Sequence, residues 1–127
     1  PLLPREARAR AWVRAVAQTI ACDIHPLNNL RVLQYLERDL GQAPEAVKAW
    51  YAHWVRLGFD ALERQLADPP LSGRFCCGDA PGLADIFLVP QVRNARRYQL
   101  DLAVYPRIVA IDAACAELDA FRRASPE

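Results

Sequence analysis

Residues 22–36, CDIHPLNNLRVLQYL, place a proline, a histidine and two asparagines inside an otherwise apolar run. These residue types have lower helix propensity than the leucine, alanine, glutamate or lysine of ordinary helices. Pro26 cannot donate its backbone N–H, and it biases His25 away from helical angles. We therefore predict a helical rod that kinks between Asp23 and Pro26 and then resumes.

On both sides of this stretch apolar residues recur at intervals of three and four, with no sustained alternation that would indicate strands. The pattern predicts an all-α bundle. Helices are expected from about Pro4 to Gly41 with the kink, over residues 44–68, over residues 82–100, and as one or two short closing helices after Tyr105 and Pro106. The segment DPPLSG, residues 68–73, is expected to stop the second helix.

Two positions predict contacts between these helices. Gly58 lies on the apolar stripe of the second helix, which indicates a close helix crossing because nothing else compensates its conformational entropy cost. Asp85 stands three residues after Gly82, where its carboxylate can bond backward to a helix N-terminus. Glycine has no side-chain oxygen, so only half of a capping box is predicted.

The bulk properties favour one domain without a charged partner. A chain of 127 residues suits a single domain with its own core. The formal net charge of +1 removes the main electrostatic argument for nucleic acid or an anionic membrane surface. No apolar run approaches the roughly 20 residues of a membrane span, and the pattern of a signal peptide is missing. We therefore expect a cytoplasmic protein.

Four cysteines have neither metal-ligand spacing nor the density of a disulfide scaffold. We expect Cys22, Cys76, Cys77 and Cys115 to be small buried hydrophobes in a reducing compartment. No metal site is predicted.

The polar residues of the opening stretch form one arc on a helical wheel drawn at about 100° per residue. His25, Asn29, Val32 and Leu36 share a face, with Asn28 and Arg31 to one side. This arc offers several donors to an anionic or peptide-like ligand. Alternatively, the imidazole and the amides satisfy backbone groups freed by the kink, and the guanidinium is a solvated charge. The residues alone leave both interpretations open.

A second cluster, Arg93, Asn94, Arg96 and Arg97, lies in the C-terminal half of the third helix. Positive charge there complements the helix dipole, which is a sufficient structural explanation. However, Arg93 and Arg97 repel one another across one turn, and an anion between them would relieve that repulsion. A dicarboxylate would suit two separated arginines. No catalytic constellation is evident, and His53 lies where a core or surface role is expected.

Four segments carry a resemblance to a known family. ACDIHPLNNLRVLQYL, GFDALE, GDAPGLADIFLVPQVRNARRYQLDL and YPRIVAIDAAC resemble the C-terminal helical domain of zeta-class glutathione transferases, the glutathione-dependent maleylacetoacetate and maleylpyruvate isomerases. The resemblance extends over about residues 1–123. Gly82 departs from it, since the superfamily usually has serine or threonine there, at a cost of up to about 1 kcal/mol of cap stability.

The resemblance implies roles for the polar residues. His25 and Asn29 would contact the cofactor glutathione, with Asn28 as a secondary choice. Arg31 and Arg97 would receive the carboxylates of a small dicarboxylate substrate, with Arg96 secondary. The implied reaction is a cis-to-trans isomerisation in which glutathione thiolate adds to the double bond and is expelled after rotation.

The resemblance also implies a domain organisation. Residues 1–4 would be the remnant of an interdomain linker and residues 5–127 the helical domain, with the thioredoxin-like N-terminal domain missing from this chain. No catalytic residue is then expected in this segment, which would be inactive by itself, and the full-length protein would be a homodimer. Two alternatives stay open: a non-catalytic interaction module of this fold, and a general glutathione-conjugating transferase. The second would make little use of arginines, because its electrophiles are typically apolar.

Overall fold

The computed structural model of the chain describes residues 1–67 and 71–125, which are mostly helical and contain no strand. This confirms the predicted all-α class. The helices are α1 (Ala7–Gln18), α2 (Leu30–Gln34), α3 (Pro44–Ala67), α4 (Leu83–Arg97), α5 (Pro106–Ala116) and α6 (Asp119–Ala124). Within the described ranges, none of them combines the length and the apolar character that crossing a bilayer requires.

The first rod begins later than predicted. Helix α1 starts at Ala7 rather than near Pro4, because the Glu6 carboxylate accepts from the backbone N–H groups of Arg8 at 2.7 Å and Ala9 at 2.6 Å. These bonds hold the pKa of Glu6 below its usual range. A carboxylate in this capping position also complements the positive end of the helix dipole.

The predicted kinked first rod is confirmed, but the predicted position of the break is wrong: His25 keeps helical angles (φ −61°, ψ −43°), and the chain leaves the helical region at Asn29 and not between Asp23 and Pro26. A π-helical turn, Thr19–Ile24, follows α1, and a 3-10 turn, Pro26–Asn28, comes next. Asn29 lies in the extended region, with φ of −61° and ψ of 145°, before α2 begins. A second π-helical turn, Tyr35–Asp39, ends the rod.

Close packing against α3 holds the kinked part in place. Val16, Ile20 and Ile24 are fully buried on one stripe, while Trp12 is half-buried. A Cβ built on Gly58 would overlap the Ile24 side chain, so the predicted close crossing is confirmed. Glycine is needed here for space and not for an unusual backbone angle.

The connection into α4 depends on a buried carboxylate. Asp85 accepts from the backbone N–H of Gly82 at 2.8 Å and from that of Cys76 at 2.9 Å. The predicted half capping box is therefore present, and it also fixes the loop before the helix. The carbonyl oxygen of Leu2 accepts from the backbone N–H of Leu83. A Cβ on Gly82 would lie only 3.1 Å from that oxygen. The predicted stop at residues 68–73 begins outside the described residues.

Helix α5 is tied to α3 by a second carboxylate. Glu63 accepts from the backbone N–H groups of Arg107 at 2.7 Å and Ile108 at 3.0 Å, which caps the α5 N-terminus. Beside it, Tyr105 donates to Asp60 at 2.9 Å, and burial together with that carboxylate raises the pKa of Tyr105 to about 12. These contacts fix the position of α5, whose Asp112 forms an ion pair with Arg96 of α4.

The cysteine prediction is wrong in part. Cys76 and Cys115 are buried, Cys77 is partly exposed and Cys22 is exposed. The exposure of Cys22 follows from its position on the outer side of the π-helical turn, where the neighbouring Ile20 and Ile24 face inward. All four thiols are free.

Gly58→Ala is expected to lower the free energy of unfolding by about 1–2 kcal/mol. Overpacking against Ile24 should outweigh the roughly 1 kcal/mol that alanine gains over glycine within a helix. Urea unfolding of the chain measures the change. Ala61→Gly, at an exposed site of the same helix, is the control and should cost about 1 kcal/mol from propensity alone. Persistence of the Gly58→Ala cost in an Ile24→Ala background would contradict the explanation.

Asp85→Ala is expected to cost about 2–3 kcal/mol, because it leaves two backbone donors at a buried site without their charged acceptor. Asp79→Ala is the matched control, since Asp79 is exposed and accepts from Arg74 at a long 3.4 Å. That control should change stability by less than about 0.5 kcal/mol. Equal losses of stability in urea unfolding for the two variants would refute the capping role.

Candidate substrate cleft and glutathione contacts

The 3-10 turn of the first rod is bound to α3 through polar contacts. The Trp50 indole donates to the carbonyl oxygen of Leu27 at 2.8 Å, and the Asn28 amide donates to that of Tyr51 at 3.3 Å. Asn28 is buried, and its Oδ1 has no hydrogen-bond partner within the described residues. The Asn28 amide thus bonds to a backbone group and holds the kink against α3, which agrees with the alternative that the asparagines of this stretch have a structural role.

Asn29 and His25 are arranged differently. The Asn29 side chain accepts from the backbone N–H of Arg31 at 3.1 Å and so caps α2. Its amide nitrogen donates to no protein group in the described parts of the chain, and the His25 imidazole is exposed. Two donors next to the kink are therefore accessible to a ligand.

The helical wheel drawn from the sequence is wrong across this region. It assumed a continuous helix, but the extended backbone of Asn29 resets the direction of the chain. Asn28 is held inward by its bond to the Tyr51 carbonyl of α3, whereas His25 is exposed. Arg31 is exposed in the first turn of α2.

The three arginines near the end of α4 have separate environments. Arg93 donates to the Ser125 hydroxyl at 3.0 Å, and Arg96 pairs with the largely buried Asp112 of α5 at 2.6 Å. Arg97 makes no ion pair within residues 1–67 and 71–125. Although Arg96 and Arg97 are adjacent in sequence, only Arg96 pairs with a carboxylate among the described residues.

Arg97 opens into a surface cleft between α3 and the end of α4. The cleft has a volume of about 380 Å³ and is lined by Glu37, Pro44, Val47, Lys48, Arg97, Tyr98 and Gln99. Arg97 is the one residue of the predicted site among these lining groups. The cleft does not include His25, Asn29 or Arg31, so the structure does not bring the two predicted arginines into one cavity.

A pair of stacked tyrosines supports the Arg97 side of the cleft. Tyr51 of α3 and Tyr98 lie with ring centroids 3.6 Å apart and planes at 7°. Burial and the neighbouring Tyr98 raise the pKa of Tyr51 to about 12, while Gln91 and Arg97 act in the opposite direction. The phenol therefore stays neutral at physiological pH.

Among the lining residues that the sequence analysis missed, two are bonded to each other. Lys48 donates to the Gln99 side chain at 3.1 Å. Gln99 has a positive φ of 59°, in the left-handed region that usually selects glycine. The backbone N–H groups of Gln99 and Leu100 bond to the carbonyls of Arg96 and Ala95 and close the end of α4. A non-glycine residue there costs roughly 1–2 kcal/mol, and no glycine in the sequence signals the turn.

Comparison with known proteins identifies the family. Residues 55–124 match the family described as glutathione S-transferase, C-terminal domain. The chain belongs to this family. The resemblance to its zeta class that was drawn from the sequence is confirmed by the relatives and solved structures that are similar to the chain.

The chain is 55% identical over 125 residues to a maleylpyruvate isomerase from a Ralstonia species, covering 98% of this chain and 59% of that protein. A solved holo structure of a maleyl pyruvate isomerase, a bacterial zeta-class enzyme, superposes with a TM-score of 0.95 at 55% identity, over 98% of this chain and 59% of that one. A maleylacetoacetate isomerase from Methylobacterium extorquens AM1, solved with bound malonate and glutathione, superposes at 0.94 with 38% identity, over 98% and 58%. The chain thus spans about three-fifths of the length of these relatives.

Asn28 and Asn29 are expected to respond differently to substitution. Asn29→Ala should cost about 1 kcal/mol by removing the cap of α2. Asn28→Leu should change the free energy of unfolding by less than about 1 kcal/mol, because it removes a buried acceptor without a partner together with the bond to Tyr51. Urea unfolding of the two single variants tests this. A larger loss for Asn28→Leu than for Asn29→Ala would show that the Tyr51 bond dominates.

Proposed function

We propose that this chain is the substrate-recognising helical half of a glutathione-dependent cis–trans isomerase that acts on maleylpyruvate or maleylacetoacetate. The observation that carries the proposal is the Arg97 guanidinium, which lines a cleft and has no protein carboxylate as a partner in the described residues. Its neighbours in the cluster, Arg93 and Arg96, are engaged elsewhere. The similarity to enzymes with these names at up to 55% identity supports the same function.

Glutathione fits the donors that the kink presents. The tripeptide carries carboxylates and amide groups, which accept from an imidazole N–H and from an amide nitrogen. His25 is exposed and the Asn29 amide nitrogen has no protein partner in the described residues. Asn28 is buried against α3, so its side chain contributes to the shape of the kink. When bound, glutathione would supply the thiolate that adds reversibly to the cis double bond.

The arginines of the chain would act on the carboxylates of the substrate. A guanidinium binds a carboxylate through two parallel N–H bonds, which fixes orientation as well as charge. Arg97 would bind one carboxylate of the diacid from its cleft, and Arg31, which lies outside that cleft beside the glutathione contacts, would attract the substrate's negative charge from the side of the kink. The same positive charge would stabilise the enolate that develops during the reaction, and stabilisation at that point lowers the barrier.

The proposed protein needs a second domain and works in the cytoplasm. A thioredoxin-like domain would hold the thiol, with residues 1–4 as the end of the connecting segment, and the full-length protein would be a homodimer. Relatives of which the chain covers about 59% support the need for further chain. Four free cysteines are consistent with a reducing compartment.

The test joins this chain to the N-terminal region of the Ralstonia maleylpyruvate isomerase and measures isomerisation of maleylpyruvate and maleylacetoacetate. Arg97→Ala and Arg31→Ala should each lower kcat/KM for the diacid about 10- to 100-fold, the loss expected for one charged hydrogen-bond pair. The KM for glutathione should change little. Arg93→Ala, on the same helix but bonded to Ser125, is the control and should retain full activity.

Equal activity of the Arg31→Ala and Arg97→Ala double variant and the parent would contradict the assigned roles. Absence of any glutathione-dependent reaction in a folded fusion would favour the interaction-module hypothesis. Preference for apolar electrophiles over maleyl acids would instead identify a general conjugating transferase.

A further inference from the structure

We propose that Lys48 is a second carboxylate-binding cation of the Arg97 cleft and that Gln99 is the residue that positions it. The inference rests on the proposed function and adds to it a group that binds the far end of the diacid. Lys48 and Arg97 approach the cleft from different helices, α3 and α4. A ligand between them would thus bridge the two elements.

The partner of Lys48 leaves its charge available. Its ammonium donates one hydrogen bond to the Gln99 side-chain oxygen at 3.1 Å. That oxygen belongs to a neutral amide, so it orients the ammonium without neutralising it, and further N–H donors remain. Arg96 shows the opposite arrangement, since its charge is matched by Asp112 at 2.6 Å.

Gln99 occupies a position at which glycine would relieve strain. Its φ of 59° is the only positive value of a non-glycine residue in the described chain. Strained backbone of this kind persists where the surrounding structure holds it, and it is frequent at ligand sites. The side chain that glycine lacks is the one that bonds Lys48. The bond to Lys48 is therefore what a glutamine provides at this position and a glycine could not.

The charges of the cleft favour an anion with two carboxylates. Among its lining residues Lys48 and Arg97 are cations, Glu37 is the single carboxylate, and Val47, Pro44 and Tyr98 supply apolar surface. A volume of about 380 Å³ lies within the range of small-ligand sites. One carboxylate of a maleyl acid would pair with the planar guanidinium of Arg97, and the other with the ammonium of Lys48. Glu37 would weaken binding of either group.

Carboxylates are also present in glutathione, so the experiment must separate the two sources. In the fusion enzyme, KM and kcat are measured with the diacid varied at saturating glutathione, and then with glutathione varied. Thermal unfolding of each variant reports whether the fold is retained. Lys48 is exposed, so its substitution should leave the fold intact.

Lys48→Met should raise the KM for the diacid about 10-fold, as expected for one lost charge contact, with kcat changed less. Lys48→Arg should restore most of the affinity. Gln99→Gly should raise the same KM to a smaller extent without lowering the midpoint of unfolding, because strain is released as the anchor is lost. Glu37→Gln should lower the KM, since it removes the opposing carboxylate.

An unchanged diacid KM in Lys48→Met, alongside a raised value in Arg97→Ala, would overturn the role of Lys48 and leave the proposed function standing. An increase confined to the KM for glutathione would overturn it as well, because the carboxylate would then belong to the cofactor. If Arg97→Ala also has no effect on the diacid, the proposed function itself fails.

Discussion

The packing of the broken first rod against α3 is the constraint on which the rest of the structure depends. Ile24 lies where only a glycine at position 58 leaves room, and Trp50 then donates to the carbonyl oxygen of Leu27. Together these contacts fix both the distance and the rotation of the kink. A proline alone would break the helix without deciding where the following residues point. The exposure of His25 and the burial of Asn28 are therefore properties of the contact with α3 and not of the motif by itself.

Helix α3 also organises the cleft at the other polar cluster. It provides Tyr51, which stacks on Tyr98 at the end of α4, and Lys48, which bonds to Gln99 one residue further on. Helix α4 is fixed independently at its start by Asp85 and near its end by the pair of Arg96 with Asp112 of α5. The polar residues at the kink and those at the end of α4 are thus both positioned by contacts with α3. This common frame explains how residues far apart in sequence can keep a fixed geometry although the first rod is irregular.

Sequence reasoning succeeded where a feature has a local cause. The spacing of apolar residues, the missing N–H of Pro26, the glycine on an apolar stripe and the carboxylate three residues after Gly82 each act within a turn or two. It failed where the outcome depends on tertiary contacts. The wheel could not anticipate the extended Asn29, and neighbouring Arg96 and Arg97 differ only because Asp112 lies beside one of them. Lys48 and Gln99, 51 positions apart, carry no signal in the sequence that would connect them.

The different treatment of neighbouring charges gives the cleft its chemical character. Asp112 is largely buried, and a buried carboxylate without a cation would be costly, so its pairing with Arg96 is explained by stability alone. Arg97 and Lys48 need no carboxylate partner for stability, because both are exposed to water, which solvates their charges. These two charges therefore contribute mainly to the free energy of binding an anion, which displaces that water. In a cleft with apolar walls the attraction between these charges and a carboxylate is stronger than in bulk solvent. Uncompensated cations at the mouth of the cleft are thus nearly neutral for the fold, and their position matters mainly to a bound anion.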